Sequence, residues 1–123
     1  INTSVKDAIS LTLFKGNFVE QKNYPVANRD LLLSIESFLE ASNLGVQDVE
    51  GIAVLVGVGA FTSTRIATTV ANTWAYSKNI SVIAVSLEET DDLTALEQKL
   101  SKIEPGILIS ATYSGEPNIG KGK

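Results

Sequence analysis

The sequence contains no cysteine, no methionine and no histidine. Without cysteine, disulfides, thiolate metal sites and cysteine nucleophiles are excluded. Without histidine, the commonest general base and the commonest metal ligand are missing as well. Ser4, Ser63 and Ser86 therefore lack the partner that most often activates a hydroxyl, and nothing in the sequence supports a peptidase. Positive charge is also scarce. Ten Lys and Arg stand against 14 Asp and Glu, the net charge is −4, and the only basic cluster is the terminal "GKGK". Binding to nucleic acid usually draws on a cationic stripe that displaces counterions, so any RNA is expected to be held by another protein. Apolar runs are short. None approaches the roughly 20 residues of a membrane span, no signal-peptide pattern opens the chain, and a cytoplasmic setting is expected. Ile1 stands where a natural start would have methionine, so the expected start lies upstream.

What remains is the composition of an ordinary globular protein, 44% hydrophobic and 20% charged. The 123 residues suit one domain, expected over residues 1–113, with a polar, glycine-rich tail at 114–123. "AISLTLF" (8–14) alternates, with Ile9, Leu11 and Leu13 on one face, as a half-buried strand does. "KGN" turns the chain and "FVEQK" can return antiparallel. A helix follows in "NRDLLLSIESFLEASNLG", with Asn28 as N-cap, Asp30 suited to the helix dipole and Gly45 near the stop. Leu31, Leu32 and Leu33 alone sweep about 200° of this helix, and Ile35, Phe38 and Leu39 add to it. One contact with a core needs only a little over 100°. This helix has apolar surface to spare.

"GIAVLV" (51–56) and "ISVIAV" (80–85) are apolar on both faces, as strands covered from both sides should be. Between them lie a glycine turn and a helix expected from Thr62 to Ser77. "DDLTALEQKLSKI" (91–103) reads as a helix with acids first, lysines last and Leu93, Leu96 and Leu100 in one stripe. "GILISATY" (106–113) is a candidate last strand. A hairpin, a helix, then strand–helix–strand gives a mixed sheet with helices packed on it. The fold that fits is an α/β RNase H-like domain, the unit duplicated in the actin and sugar-kinase class.

The turn in "GVGAFTSTRI" (57–66) poses the functional question. Gly57 and Gly59 would let a phosphate approach the backbone, a helix N-terminus follows, and Thr62 to Thr64 supply hydroxyls. Against phosphate, there is no Walker lysine, no third glycine and no acid at the end of the preceding strand. The glycines then serve a tight turn, with Thr62 or Ser63 capping the helix. That helix carries one charge, Arg65, between Thr62 and Ser77. Ile66, Val70 and Trp74 form a candidate sheet-facing stripe, Ala67, Ala71 and Ala75 a stripe open to close approach, and Thr68, Asn72 and Tyr76 a neutral polar row. A solvated helix face normally carries lysine and glutamate, so a partner is expected there.

"GVGAFTSTRI" resembles the G-P-G-S-F-T-G-L-R-I signature of the TsaB family, which takes part in making threonylcarbamoyladenosine in tRNA. "INTS" at the start is similar to that family's I-D-T-S, "LLLSIESFLEASNLGVQDVEGIAV" to its first helix and next strand, and "ATYSGEP" to a proline–x–tyrosine–x–arginine segment. The resemblance implies an actin-like fold and a noncatalytic subunit, with no cofactor or metal of its own. Its implied partner is a TsaD-like catalytic subunit in a heterodimer, stabilised or activated through a helix–helix contact. A third ATPase subunit can join, tRNA is met only indirectly, and a homodimer can form when TsaD is absent. By position, the contact involves Leu31, Leu32, Ile35 and Leu39, then Arg65, Thr68, Thr69, Asn72 and Tyr76. The signature turn maps to Gly57, Gly59, Phe61, Thr62 and Arg65. Asn2 stands where the family has aspartate, and Val58, Ala60, Ser63 and Thr64 replace proline, serine, glycine and leucine of the signature. Residues 91–123 are too few for the family's second lobe, so a short form without most of it is expected. The alternative reading is an actin-like nucleotide-binding or phosphotransfer protein.

Overall fold

The computed structural model describes residues 1–27 and 30–110. Among them are four strands and three α-helices: β1 (Ile9–Lys15), β2 (Phe18–Tyr24), α1 (Leu31–Ala41), β3 (Gly51–Leu55), α2 (Phe61–Lys78), β4 (Ser81–Val85) and α3 (Leu93–Lys102). β1 and β2 form the expected antiparallel hairpin, Ile9 opposite Tyr24 and Lys15 opposite Phe18, around Gly16 at φ +58°. β3 and β4 pair in parallel through the α2 crossover, Gly51 beside Ser81 and Leu55 beside Val85.

The two pairs meet through the first two residues. The Ile1 main-chain nitrogen donates to Ala53 O at 2.8 Å, and Ile1 O accepts from Leu55 N at 2.9 Å. Asn2 exchanges both main-chain hydrogen bonds with Ser10, each 2.9 Å. The order across the molecule is therefore β2, β1, residues 1–2, β3, β4: a mixed sheet, as the α/β reading requires.

Strand alternation sorts the side chains onto two faces. Ile9, Leu11, Ile52, Val54, Val56 and Val82 turn to one side, where α1 and α2 cover them. Ile83 and Val85 turn to the other and meet Leu96 of α3, with Phe14 and Ala53 beside them. The three layers bury aliphatic side chains on both faces of the sheet, each worth about 1.5–3 kcal/mol of transfer free energy. Ser81 Oγ donates to the Ile103 carbonyl and ties β4 to the end of α3.

Several local expectations are corrected. The α2 stripe that faces the sheet is Thr64, Ala67, Thr68, Ala71 and Ala75, all buried, whereas Ile66, Val70 and Trp74 are half-buried on the flank. The alanines let α2 approach the flat β3–β4 pair closely, and the larger side chains fill the gap at its side. Trp74 Nε1 leans toward Val46 O, 3.4 Å away, over the connection that follows α1. Neither Thr62 nor Ser63 caps α2: Ala60 occupies the N-cap in extended conformation, with no side-chain cap. α1 stops at Ser42, with Asn43 rather than Gly45 in the left-handed region at φ +61°. Asp30 takes its N-cap position, while Asn28 lies outside the described residues. Residues 106–110 form no strand, and the remainder of "GILISATY", the "ATYSGEP" segment and the 114–123 tail fall outside the described residues.

Candidate functional site

The glycine turn is built against the start of the chain. Gly57 and Gly59 have φ of +83° and +84°, which glycine alone adopts without strain. A Cβ on Gly59 would lie 2.6 Å from Ser4 O and 2.7 Å from Ser4 Cα. The close approach that glycine permits at position 59 is thus taken up by the backbone of residue 4. Asn2 makes that loop rigid: its Oδ1 accepts from Ser4 N at 2.9 Å and from Ser4 Oγ at 2.7 Å. The Asn2 amide oxygen thus serves as the acceptor of a local turn. Thr64 Oγ1 returns to Ala60 O at 3.2 Å and closes the first turn of α2 from within.

These contacts set the direction of α2. Of the signature residues, Phe61, Thr62 and Arg65 project from its exposed side. The Arg65 guanidinium lies over the Phe61 ring, 5.6 Å from its centroid, so the one charge along this face is stacked on an aromatic neighbour. Arg65, Ile66, Thr69 and Val70 line a shallow, mostly apolar depression of about 310 Å³.

The residues expected to meet a partner divide into two groups. Leu31, Ile35 and Leu39 of α1 lie in the protein's own core, at 1%, 3% and 3% exposure. On that helix Leu32 remains, joined by Leu33; they are 54% and 65% exposed. On α2, Arg65, Thr69 and Tyr76 are exposed, Tyr76 to 76%. Thr68 points inward, and its hydroxyl is buried with no hydrogen-bond partner among the described residues, as is that of Thr3. Asn72 is half covered by the segment after α3: its Nδ2 donates to Ile109 O at 2.9 Å, and Ile109 N donates to its Oδ1 at 3.0 Å. That segment brings exposed Ile107 and Leu108 with it. Leu33, Ile107 and Leu108 are not among the residues expected from sequence to meet a partner, although the leucine surplus of the first helix points to Leu33, and Phe61 is expected only as part of the signature turn.

Ser4 Oγ is spent on Asn2, and Ser86 forms a reciprocal pair with Glu89, in which Ser86 N donates to Glu89 Oε1 at 2.8 Å and Glu89 N to Ser86 Oγ at 3.3 Å. That pair and Lys99, 3.0 Å from Glu89 Oε2, hold the Glu89 carboxyl below its ordinary pKa. Among the described residues, no group of three or more His, Asp or Glu is placed to hold a metal ion, and no helix is long and apolar enough to cross a membrane.

Comparison with known proteins adds the family. A model described as "TsaD: tRNA N6-adenosine threonylcarbamoyltransferase" matches residues 27–110. No curated protein matches the chain. Two solved structures from Pseudomonas aeruginosa are similar to it. One is described as YeaZ, 29% identical, with a TM-score of 0.61 over 69% of this chain and 42% of its own. The other is described as an uncharacterized protein with similarity to peptidase YeaZ, also 29% identical with a TM-score of 0.61, over 80% of this chain and 44% of its own. The chain thus spans less than half the length of either structure. With the family model matching residues 27–110, more than half of its length, the chain belongs to the TsaD family, and its fold is similar to that of YeaZ.

Proposed function

We propose that the chain is a noncatalytic binding subunit of the machinery that forms threonylcarbamoyladenosine in tRNA. It docks on a TsaD-type catalytic subunit and stabilises or activates it. The observation that carries this reading is the outer surface of the α1–α2 layer: Leu32, Leu33, Phe61 and Tyr76 are each about half exposed or more, on helices already anchored to the sheet by other residues. Large apolar and aromatic side chains on a rigid support are what a docking surface uses as anchors. A noncatalytic role is supported by the absence of histidine from these residues and by the engagement of Ser4, Asn2 and Gly59 with one another.

The phosphate-binding alternative finds less support, because the backbone at Gly59 is already packed on Ser4. Calorimetry with ATP and magnesium would revive it if heat of binding were measured. For the docking reading, the test is size-exclusion chromatography of the chain mixed with a TsaD-type subunit. Co-elution of the two is expected. Independent elution at micromolar concentration contradicts the reading. A specific contact should bury roughly 1,600 Å² in total.

A further inference from the structure

Between Phe61 and Ser77, α2 carries a single charge, that of Arg65. The ion pairs among the described residues belong to lysines, Lys15 with Glu50 and Lys99 with Glu89, so no carboxylate there answers the Arg65 guanidinium. The side chain is exposed yet braced. Phe61 precedes it by one helical turn, and its ring covers one face of the guanidinium, 5.6 Å from the centroid. Stacking occupies the face of the guanidinium plane and leaves the N–H fork at its edge for a further partner.

The surface beside this cation is furrowed. Arg65 and Thr69 form one i, i+4 row along α2, and Ile66 and Val70 form the next. The first row is exposed and the second half-buried, so the depression of about 310 Å³ that these four residues line has an apolar floor and one cationic wall. A furrow between two such rows is what a ridge of side chains on a facing helix fills.

Charge is divided between the two helices of the layer. α1 exposes Glu36 and Glu40 and has no basic residue from Leu31 to Ala41. An anionic side chain is therefore repelled along α1 and attracted at one place on α2, an arrangement that selects partners and fixes register. It also narrows the chemistry. Nucleic acid needs a run of cations, and a phosphorylated peptide an arginine cluster. One guanidinium on a chain of net charge −4 suits one carboxylate.

We propose that Arg65 is a specificity-determining residue of the docking surface, and that it takes an Asp or Glu carboxylate from a helix of the partner subunit, with an aliphatic side chain one turn away seated on Ile66 and Val70. The pairing rests on the docking of a TsaD-type subunit proposed above. The carboxylate receives the guanidinium fork bidentately, and charge-assisted bonds of this kind are about twice as strong as neutral ones. Because Phe61 already holds the guanidinium, little side-chain freedom is lost on binding.

The test is calorimetric titration of a TsaD-type subunit with the wild-type chain, Arg65→Met and Arg65→Glu, at about 50 mM and about 500 mM salt. All three chains should keep the same thermal midpoint, since the side chain is exposed. Wild-type affinity is expected to fall as salt rises. Arg65→Met, which keeps the length and apolar bulk, should bind about tenfold more weakly at low salt and lose most of the salt dependence. Arg65→Glu should bind about a hundredfold more weakly at low salt and recover as salt screens the repulsion. Equal low-salt binding by the wild type and Arg65→Met overturns the inference and leaves the docking reading standing, as does a loss with unchanged salt dependence, which would mark packing alone. No binding by the wild type overturns the docking reading and this inference with it. A dimer of the chain alone that Arg65→Met takes apart in sedimentation would place the carboxylate on a second copy and overturn its assignment to the partner subunit.

Discussion

The two helical layers on this sheet differ in how they meet the surroundings. α3 buries Leu96, half-buries Leu93 and Leu100, and faces outward with Thr94, Gln98, Lys99 and Lys102. Its N-cap Asp92 accepts from Ala95 N at 3.0 Å, and its lysines stand at the C-terminal end, where the helix dipole favours them. α2 has no side-chain cap, packs on the sheet through alanines, and leaves Phe61, Thr69, Thr73 and Tyr76 outside. α1, in the same layer, adds Leu32 and Leu33, flanked by Glu36 and Glu40. α3 is finished for water. The α1–α2 layer carries large apolar groups beyond what its own core uses, and that difference is the ground for assigning a partner to one face and solvent to the other.

Substitutions within α1 separate core from surface most strongly. Leu31→Ala should cost about 3 kcal/mol of folding stability in denaturant titration, because a fully enclosed leucine leaves a cavity. Leu33→Ala, two positions on, should cost less than about 0.5 kcal/mol. Equal losses would mean that the outer surface of α1 is not free. At the turn, Gly59→Ala should destabilise by about 2 kcal/mol or more, since the new methyl meets the Ser4 backbone and the residue must keep φ at +84°. A stability near wild type would show that the turn has room for a ligand. Thr68→Val removes a buried hydroxyl that lacks a partner and should stabilise by about 1 kcal/mol, read from the thermal midpoint. A loss would show that the hydroxyl is used. The smallest effect belongs to the α3 side. The Glu89 carboxyl is held below its ordinary pKa by the Ser86 amide and Lys99, so its contribution to stability is complete above that ordinary value of 4.5 and fades as pH falls through the folded one. Glu89→Gln should therefore narrow the gap between wild-type stability at neutral and at acid pH, measured by chemical denaturation.

Much of the fold could be read from residue patterns. The alternation of Ile9, Leu11 and Leu13, the two-sided apolar runs of β3 and β4, and the charge gradient of α3 each fix an element because period and polarity point the same way. The orientation of α2 could not be read in this manner. Hydrophobicity favoured Ile66, Val70 and Trp74 as the sheet-facing stripe, but the distance between helix and sheet decided it, and alanine permits the closest approach. The same limit affected α1. Three consecutive leucines announce surplus apolar surface without saying which one is spare, and the sheet takes Leu31 while leaving Leu32 and Leu33 outside. Asn72 could not be assigned for a different reason: its partner, Ile109, is 37 residues away and belongs to a segment with no period. The close packing of Gly59 on Ser4 joins two stretches that only the sheet brings together.

The central claim is best tested by calorimetric titration of a TsaD-type subunit with the wild-type chain, Leu32→Asp, Tyr76→Glu and, as a control on the opposite layer, Thr94→Glu. Micromolar or tighter binding is expected for the wild type and the control, with a loss of about a hundredfold or more for the two variants of the α1–α2 layer, each still folded. Equal binding by all four, or a loss confined to Thr94→Glu, would contradict the account.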